Sequence, residues 1–492
     1  MTKTEEKNLI SSDVIARIMY WILNTIRVEF IIRSIYKLAK PKLIRDYAQN
    51  PLYANSPRIA EELYYLVEGM LNIINRSRIT KKTLNIFLKA IFMNQDLKRI
   101  TQEWLEKYGY GPPGFLVISP TKQCNLRCPN CYANSAGERD KLPYWVVKRI
   151  LSDAYRLWGN RFFVISGGEP LIYKSDNKTI LDIAEEFSDA IFLMYTNGLM
   201  INPTIAQRLS DLGNLTPAIS VEGMRETTDR RRGAGTFDKI IKVMETLKQK
   251  RVLFGISITA TRDNYQEVLS DEFIDFFFDQ IGAGYGWIFH YMPIGRDVAV
   301  DFMPTPQQRV WMWQRSWEII KKKRVFLVDF WNHGSASSGC IAGGREGGYL
   351  HINWHGDVAP CVFFPYAVSN IKTIFENGGN LTDAIQTPFF QAIRDWQCHY
   401  GYPHGKEVNA YTSFNWLRPC IIRDHFQDAF SIIKKYNARP LDYAPDCIYL
   451  ENRNYFDTLK NYDEELKNLV DPIWQKVYQN SSDKDLSQLK IA

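Results

Sequence analysis

Residues 121–133 read TKQCNLRCPNCYA, which places Cys124, Cys128 and Cys131 in the spacing Cys-x3-Cys-x2-Cys. Three thiolates within eight residues can all turn toward one metal centre. Iron–sulfur clusters are normally held by four Cys thiolates, so this loop would leave one iron of a four-iron cluster without a protein ligand. An iron with an open position suits chemistry better than storage.

The same cysteines could form a zinc knuckle, a disulfide or a group of core thiols. Zinc sites usually pair Cys-x2-Cys units or add His at a set spacing, and no second pair lies nearby. A disulfide would use only two of the three thiols, and closing so short a loop would strain it. We favour the iron–sulfur interpretation, because motifs further along the chain fit it.

Those motifs follow strand-like segments. They are GGEP at Gly167–Pro170, YTNG at Tyr195–Gly198, SVEG at Ser220–Gly223 and, a few residues later, DRRRGAGTF at Asp229–Phe237. Adjacent glycines let the backbone approach a ligand closely, and a guanidinium can hold a carboxylate through two hydrogen bonds. Parallel α/β folds place their active sites at the carboxyl ends of strands, where these motifs fall.

Together with the cysteine loop, the motifs resemble those of the radical S-adenosylmethionine (radical SAM) enzymes over roughly residues 115–425. The resemblance implies a [4Fe-4S] cluster on Cys124, Cys128 and Cys131, whose open iron binds the amino and carboxylate groups of S-adenosylmethionine. An electron from the cluster would cleave the sulfonium to give methionine and a 5′-deoxyadenosyl radical. A reductant such as ferredoxin or flavodoxin is the implied partner.

The resemblance also assigns residues to S-adenosylmethionine. Tyr132 would lie against adenine, and Asn197 would bond the adenosine. Gly167, Gly168, Glu169 and Pro170 would meet the methionine amino group. Ser220 and Glu222 would lie near the nucleoside, and Arg232 would bind the methionine carboxylate. Asn197 could equally shape its turn. Glu222 stands where Asp is commoner, which leaves its contact open.

Other side chains near these motifs carry weaker expectations. Arg230 and Arg231 are expected on the solvated surface. Strand alternation would turn Ser257 and Thr259 toward one face. A lone His in a strand is more often a satisfied core residue than a catalyst, so His290 is expected to be structural. Arg296 would lie where a substrate could enter.

A second metal signal lies downstream. Cys340 is followed by fifteen residues and then by GDVAPC, which ends at Cys361. This resembles the start of the cysteine pattern in SPASM and twitch auxiliary-cluster domains, with Cys398 and Cys420 as the remaining ligands. Five cysteines follow the predicted barrel, whereas a full SPASM domain uses about seven. One auxiliary iron–sulfur cluster is therefore predicted. Other residues that could contribute are His399, His404, Asp446 and Cys447.

Six strand–helix units in series predict an α/β fold with a parallel sheet, and the resemblance implies a partial (β/α)6 radical SAM barrel. The predicted strands are Phe115–Ser119, Phe162–Ser166, Ala190–Thr196, Ala218–Val221, Val252–Thr259 and Trp287–Tyr291. The predicted regions are a helical N-terminal region (1–110), the barrel (111–325), a small Cys-containing C-terminal domain (326–450) and a helical tail (451–492).

The composition is that of a globular protein of modest charge, with a formal net charge of +7 over 492 residues. Lys and Arg alternate with acids, which argues against nucleic-acid binding. Eight cysteines in a long chain fit a reducing cytoplasm. Residues 1–50 have an amphipathic pattern with nine Lys/Arg and five Asp/Glu. They could lie on an anionic membrane, although a helix covering the barrel fits as well. The uncharged stretch Ile18–Ile26 is too short to span a bilayer, which needs about 20 residues.

These observations predict an enzyme that abstracts a substrate hydrogen. The basic N-terminus and an aromatic content of 14% favour, by a small margin, a lipid or another apolar, membrane-associated substrate. The first alternative is a peptide- or protein-modifying radical SAM/SPASM maturase. The second is a non-catalytic iron–sulfur electron-transfer protein, against which the S-adenosylmethionine motifs argue.

Overall fold

The computed structural model describes residue 36 and residues 39–48, 56–77, 79–92, 94–402, 414–444 and 453–479. Most of the predicted membrane-contacting segment 1–50, and also His404, Asp446 and Cys447, lie outside the described residues. Within the described part, no helix combines the length and the apolar character needed to cross a bilayer.

Parallel strands form the centre of the molecule. The strands are β1 Leu116–Ile118, β2 Phe162–Ile165, β3 Lys174–Ser175, β4 Lys178–Thr179, β5 Ile191–Thr196, β6 Leu215–Val221, β7 Gly255–Ala260, β8 Tyr285–His290, β9 Phe326–Asp329, β10 His351–Ile352, β11 Asp357–Ala359, β12 Tyr366–Ala367, β13 Ser369–Asn370 and β14 Arg439–Pro440.

The helices cover both the sheet and its amino end. They are α1 Lys40–Ala48, α2 Pro57–Ser77, α3 Lys81–Phe92, α4 Gln95–Tyr108, α5 Tyr144–Trp158, α6 Ile180–Glu186, α7 Pro203–Leu212, α8 Arg225–Arg232, α9 Thr236–Gln249, α10 Asp271–Ile274, α11 Pro306–Lys323, α12 Ile371–Glu376, α13 Pro388–His399, α14 Ile421–Asp424, α15 Phe426–Lys435 and α16 Arg453–Trp474. The π-helical turn Gln475–Gln479 continues α16.

The predicted α/β class and the six parallel strands are confirmed. The main sheet has the order β13-β11-β10-β1-β2-β5-β6-β7-β8-β9, in which β1, β2, β5, β6, β7 and β8 are the predicted strands. Each pairs in parallel with its neighbour. These strands read as apolar and aromatic runs such as FFVI and IFLMYT. Such runs are typical of parallel sheets that are buried on both faces.

The sheet extends beyond the predicted barrel at both edges. Strand β9 pairs in parallel with β8, and β10 pairs in parallel with β1. Both added strands belong to the predicted C-terminal domain, 326–450. The sheet therefore runs across the predicted boundary, and the division into domains stays a prediction.

Helix α2 docks the N-terminal helices onto the barrel. Gly69 lies against the backbone before β9, so closely that a Cβ atom there would come within 2.6 Å of the Val325 carbonyl oxygen. The Asn72 side chain donates to the Arg324 carbonyl at 2.9 Å. The buried Glu62 carboxylate accepts from Tyr478, which follows α16, and from Ser335, each at 2.8 Å. The Glu62 carboxylate therefore connects the N-terminal helix α2 to the helical region at the C-terminal end.

We expect Gly69→Ala to destabilise the protein. Overpacking costs about 1–3 kcal/mol, which exceeds the gain of about 1 kcal/mol in helix propensity from Gly to Ala. The Val325 carbonyl belongs to the backbone and cannot rotate away as a side chain would. Urea unfolding measures the change, with Gly137→Ala as the control because a Cβ atom there would meet nothing within 4 Å. Equal stability of the two variants would contradict this account of the docking.

Candidate functional site

A cavity of about 450 Å³ lies against the parallel strands. The cysteine loop lines it with Cys124, Cys128 and Cys131, and the GGEP segment adds Gly167 and Gly168. Every parallel strand from β1 to β9 contributes, among others with Val117, Val164, Tyr195, Ser220, Thr259, Phe289 and Val328. The fold therefore brings the separate sequence motifs to one cavity.

The cysteine loop is held to the loop after β8 by Arg296. The Arg296 guanidinium donates to the carbonyls of Cys128 at 2.9 Å and Ser135 at 2.7 Å, and its backbone N–H donates to the Cys131 carbonyl at 3.0 Å. The preceding Gly295 lies so close that a Cβ atom would come within 2.1 Å of the Cys131 oxygen. We expected Arg296 at a substrate entrance, but the structure places its side chain on the cysteine loop.

The GGEP segment holds the other side of this loop. Gly168 donates to the Thr121 carbonyl at 2.9 Å, and a Cβ atom on it would lie 2.2 Å from the Gln123 oxygen. Gly167 has a φ of +107°, a conformation that favours glycine. The two glycines are thus required for the close approach of the two segments.

The Glu169 side chain joins this segment to the end of β5. Its carboxylate accepts from the Thr196 hydroxyl at 2.7 Å and from the Asn197 N–H at 2.9 Å. Burial raises the pKa of Glu169. The contacts of Glu169 and of the GGEP backbone, Pro170 included, with the methionine amino group stay predictions.

The thiol of Cys124 has hydrogen-bond donors directed at it. The Leu126 N–H lies 3.4 Å from its Sγ, and the Asn197 side-chain nitrogen lies 3.8 Å from it. Burial raises the pKa of Cys124 to about 11, and the Leu126 N–H opposes this shift by favouring the thiolate. A metal centre binds the thiolate and releases the proton, so these donors fit a ligated cysteine.

The three thiols are donors of the kind that an iron–sulfur cluster takes. In the part of the chain that the structure describes, no three His, Cys, Asp or Glu side chains converge on one metal-ion position. Each thiolate of a [4Fe-4S] cluster binds a different iron, so its cysteines need not converge. The donor set, three soft thiols in one cavity wall, is that of an iron–sulfur site.

Glu222 holds two arginines at the cavity. Its buried carboxylate accepts from Arg231 Nη1 at 2.7 Å and from Arg232 Nε at 3.0 Å, and both arginines line the cavity. The surface position expected for Arg231 is therefore wrong, whereas Arg230 is exposed as expected. The assignments of Arg232 to a carboxylate and of Glu222 to ribose stay predictions. In the structure these two side chains bind each other.

The remaining predicted cofactor residues also face the cavity. The Tyr132 hydroxyl bonds to Ser166 Oγ at 2.6 Å, and its ring lies 5.9 Å from the Phe363 ring. Burial raises the pKa of Tyr132 to about 12, so it stays a neutral phenol. Ser220, Ser257 and Thr259 line the cavity, as strand alternation predicts for the last two.

His290 ends β8 in a buried polar cluster beside the cavity. Its Nδ1 lies 3.3 Å from Arg423 Nη1, and its Nε2 lies 3.0 Å from Asp329 Oδ2. Because arginine only donates, Nδ1 accepts and Nε2 carries the proton donated to Asp329. Burial lowers the pKa of His290 to about 4. His290 is a satisfied buried residue, as expected, but it also lines the cavity. Asp329 and Arg423 were not predicted from the sequence.

Three of the four predicted auxiliary cysteines lie close enough to affect one another. Burial raises the pKa of Cys361, and the charges of Cys420 and Cys340 raise it further. Burial, followed by Asp424 and Cys340, raises the pKa of Cys420 to about 12. Cys398 lies in the last turn of α13, where the neighbouring Gln397 donates to the Cys340 carbonyl at 3.1 Å.

Unpaired donors surround these cysteines. Among the described side chains, Trp416 Nε1 and Arg423 Nη2 are buried without a hydrogen-bond partner. The Trp331 side chain hydrogen-bonds to Cys420 and thereby favours its thiolate. The Trp331 ring lies 4.9 Å from the Phe363 ring and under the Arg423 guanidinium. Trp416 lies against Gly339, beside Cys340. Buried donors are costly when unpaired, and the anionic sulfurs of a bound cluster would accept from them. The residues therefore fit an auxiliary cluster.

Comparison with known proteins identifies the family. The Radical SAM superfamily matches residues 118–270. The mycofactocin maturase MftC of Mycobacterium ulcerans is 30% identical over 304 residues, which cover 59% of this chain and 79% of the relative. The chain belongs to the radical SAM superfamily. The AdoMet-dependent heme synthase of Methanosarcina barkeri is 24% identical, over 53% of this chain and 80% of the relative. The crystal structure of Streptococcus suis SuiB bound to precursor peptide SuiA aligns with a TM-score of 0.49 at 19% identity. The alignment covers 61% of this chain and 71% of SuiB.

The predicted family is confirmed, and a C-terminal auxiliary-cluster region is consistent with its relatives. The protein is an enzyme, and as a radical SAM protein it uses a [4Fe-4S] cluster and S-adenosylmethionine. Sequence reasoning missed the structural function of Arg296 and the cavity position of Arg231. The position of Arg231 could have been suspected from the sequence, because it directly precedes Arg232 on the same short helix.

We expect Arg296→Ala to lower the iron content of this radical SAM enzyme. The substitution leaves the buried carbonyls of Cys128 and Ser135 without their donor, at a cost of about 1–3 kcal/mol each. The cysteine loop would then lose its fixed shape. Iron per protein after anaerobic reconstitution measures the effect, with exposed Arg230→Ala as the control. Normal iron content in Arg296→Ala would contradict the assigned function of this side chain.

Stability should fall as the pH is lowered from about 6.5 to about 4. Burial lowers the pKa of His290 and His333 to about 4, whereas an unfolded histidine has a pKa near 6.5. In this window the unfolded chain binds protons that the folded chain does not, so unfolding is favoured. The effect is on the order of 3 kcal/mol per histidine. Urea titrations at several pH values measure it. His333→Gln should weaken the dependence, and a half-exposed control, His355→Gln, should not. A flat profile in the unsubstituted protein would contradict it.

Proposed function

We propose that the cavity is the reaction site of a peptide- or protein-modifying radical SAM enzyme. The observation that supports this chemistry is the set of residues that line the cavity. Cys124, Cys128 and Cys131 line the same cavity as the GGEP backbone and the arginine pair held by Glu222. The substrate class rests on the MftC relative, which is a maturase and is matched over 79% of its length. This relative favours the maturase alternative over the lipid substrate that the composition favours.

The cysteine loop would hold the radical-forming cluster. When bound there, the [4Fe-4S] cluster and S-adenosylmethionine supply a 5′-deoxyadenosyl radical that removes a hydrogen atom from the substrate. The residues proposed for S-adenosylmethionine are Tyr132, Gly167, Gly168, Glu169, Pro170, Asn197, Ser220, Glu222 and Arg232. Of these, Glu169 and Glu222 would act by positioning Asn197 and Arg232, since their carboxylates are bonded to those residues.

The chain itself keeps the reaction dry and fixes charge near the cluster. Aromatic rings of Tyr195, Phe289, Phe330 and Phe363 form much of the wall, with centroid separations of 5.4–6.0 Å between neighbours. Burial raises the pKa of Cys128, and the charge of Arg232 opposes this shift by stabilising the thiolate. An apolar wall excludes water and loose hydrogen donors from a reactive species.

We further propose that Cys340, Cys361 and Cys420 hold an auxiliary cluster with Cys398 as the fourth ligand. A protein in which Cys124, Cys128 and Cys131 are all replaced by Ala should then retain about four irons. Adding Cys420→Ala to this variant should remove most of them, whereas adding Cys447→Ala should not. Iron and sulfide analysis after anaerobic reconstitution gives the result. A triple variant without iron would refute the auxiliary cluster.

A lipid or other apolar substrate is the second candidate. The apolar and aromatic wall of the cavity favours it, because a peptide backbone buried there would need hydrogen-bond partners. Peripheral membrane contact through residues 1–50 belongs to this candidate.

Deuterium transfer separates the two candidates. The protein is reduced, with dithionite or with ferredoxin or flavodoxin, in the presence of S-adenosylmethionine and either deuterated peptides or deuterated lipids. We expect deuterium in the released 5′-deoxyadenosine from the peptides, and none in a Cys128→Ala control. Transfer from the lipids alone would select the second candidate. Failure to release any 5′-deoxyadenosine would refute the assignment of the cysteine loop.

A further inference from the structure

A second cavity, of about 650 Å³, lies at the opposite end of the barrel. Helices α2 and α3 provide one wall, with Ile74, Leu84 and Leu88. The first residues of strands β2, β5 and β8, namely Phe162, Ile191 and Tyr285, provide the other. We call this space the amino-end cavity. It contains none of the cysteines or predicted cofactor residues.

The buried polar side chains that line the amino-end cavity are already bonded to the protein. Thr216 Oγ1 lies 2.7 Å from the Tyr285 hydroxyl and donates to the Leu253 carbonyl at 2.9 Å. When the Asn160 amide is oriented with its nitrogen toward Pro113, this nitrogen donates to the Pro113 carbonyl at 2.9 Å. Two charged side chains also line the cavity, and both are paired within the protein: Arg161 with Asp189, and Glu346 with the Gly111 N–H. The rest of the wall is mostly apolar, so recognition in this space would be by apolar contact.

The amino-end cavity is partly open to solvent, and its lining is mostly apolar. Large contiguous apolar surface that solvent can reach is rare on soluble proteins and marks binding grooves for ligands or partners. A volume of about 650 Å³ falls within the range of small-molecule sites, which is roughly 300–1,000 Å³. An apolar ligand is therefore the occupant that this wall chemistry fits.

The two cavities share a thin apolar wall. Phe162, Leu193 and Trp287 line both of them. The shared wall consists of side chains from strands β2, β5 and β8, without a charged group. An occupant of the amino-end cavity would therefore press against the same rings that face the reaction site.

We propose that the amino-end cavity binds one long alkyl chain, of a free fatty acid or of a lipid. The hydrocarbon of such a chain has no hydrogen-bonding groups, which suits a mostly apolar wall whose polar side chains are bonded to the protein. This site is distinct from the reaction cavity and does not depend on the proposed function. It also gives the N-terminal helices a function beyond covering the barrel.

Binding of cis-parinaric acid, a fluorescent alkyl-chain probe, tests the proposal on the full-length protein. We expect saturable binding of one probe per chain. Ala90 lines the amino-end cavity and its neighbour Lys89 is exposed. Ala90→Trp should therefore weaken binding about tenfold or more, and Lys89→Trp should leave it unchanged. Iron content and circular dichroism show whether each variant is folded, and Leu84→Trp serves as a second filling variant.

Displacement then identifies the source of the chain. Palmitic acid displacing the probe while a dipalmitoyl phospholipid does not would indicate a free fatty acid, and displacement by both would indicate a lipid tail. Absence of saturable binding, or displacement by neither, would overturn the proposal. Binding that survives in folded Ala90→Trp and Leu84→Trp would place the chain in the reaction cavity and would also overturn it.

Discussion

The backbone of the three-cysteine loop is clamped between two glycine contacts, and the reaction cavity depends on this clamp. Gly168 presses on the Gln123 carbonyl from one side, and Gly295 presses on the Cys131 carbonyl from the other. Arg296 adds hydrogen bonds to the Cys128 and Ser135 carbonyls. Three thiols on a free loop would have no common direction. Held in this way, they form part of the wall of one cavity.

Local sequence patterns were enough to predict the six parallel strands and the motifs at their ends, because apolar runs and turn residues are read within a short window. They did not predict β9 or the pairing of β10 with β1, since the contacts of these strands with β8 and β1 are long-range. They also misplaced Arg231 and Arg296. The partner of Arg231 is Glu222, nine residues away, and the partners of Arg296 lie more than 150 residues away. A charged residue on a short helix looks solvated until its buried partner is known.

The two cavities divide the barrel into parts with different chemistry. Both have apolar and aromatic walls, but the first also holds thiols, glycines and a pair of arginines bound to Glu222, whereas the polar side chains of the second are bonded to the protein. Between them stand Phe162, Leu193 and Trp287. The likeness to a maturase supports a peptide substrate in the first cavity. The apolar wall of the second cavity supports a bound alkyl chain there. A peptide substrate and a bound alkyl chain are therefore compatible in one molecule.

The central claim is that Cys124, Cys128 and Cys131 hold a cluster whose open iron binds S-adenosylmethionine. Electron paramagnetic resonance of the dithionite-reduced protein, recorded with and without S-adenosylmethionine, tests it most directly. The account predicts that S-adenosylmethionine shifts the signal of one cluster only, and that this signal is missing when the three cysteines are replaced. Reduced-cluster signals that S-adenosylmethionine leaves unchanged would contradict it.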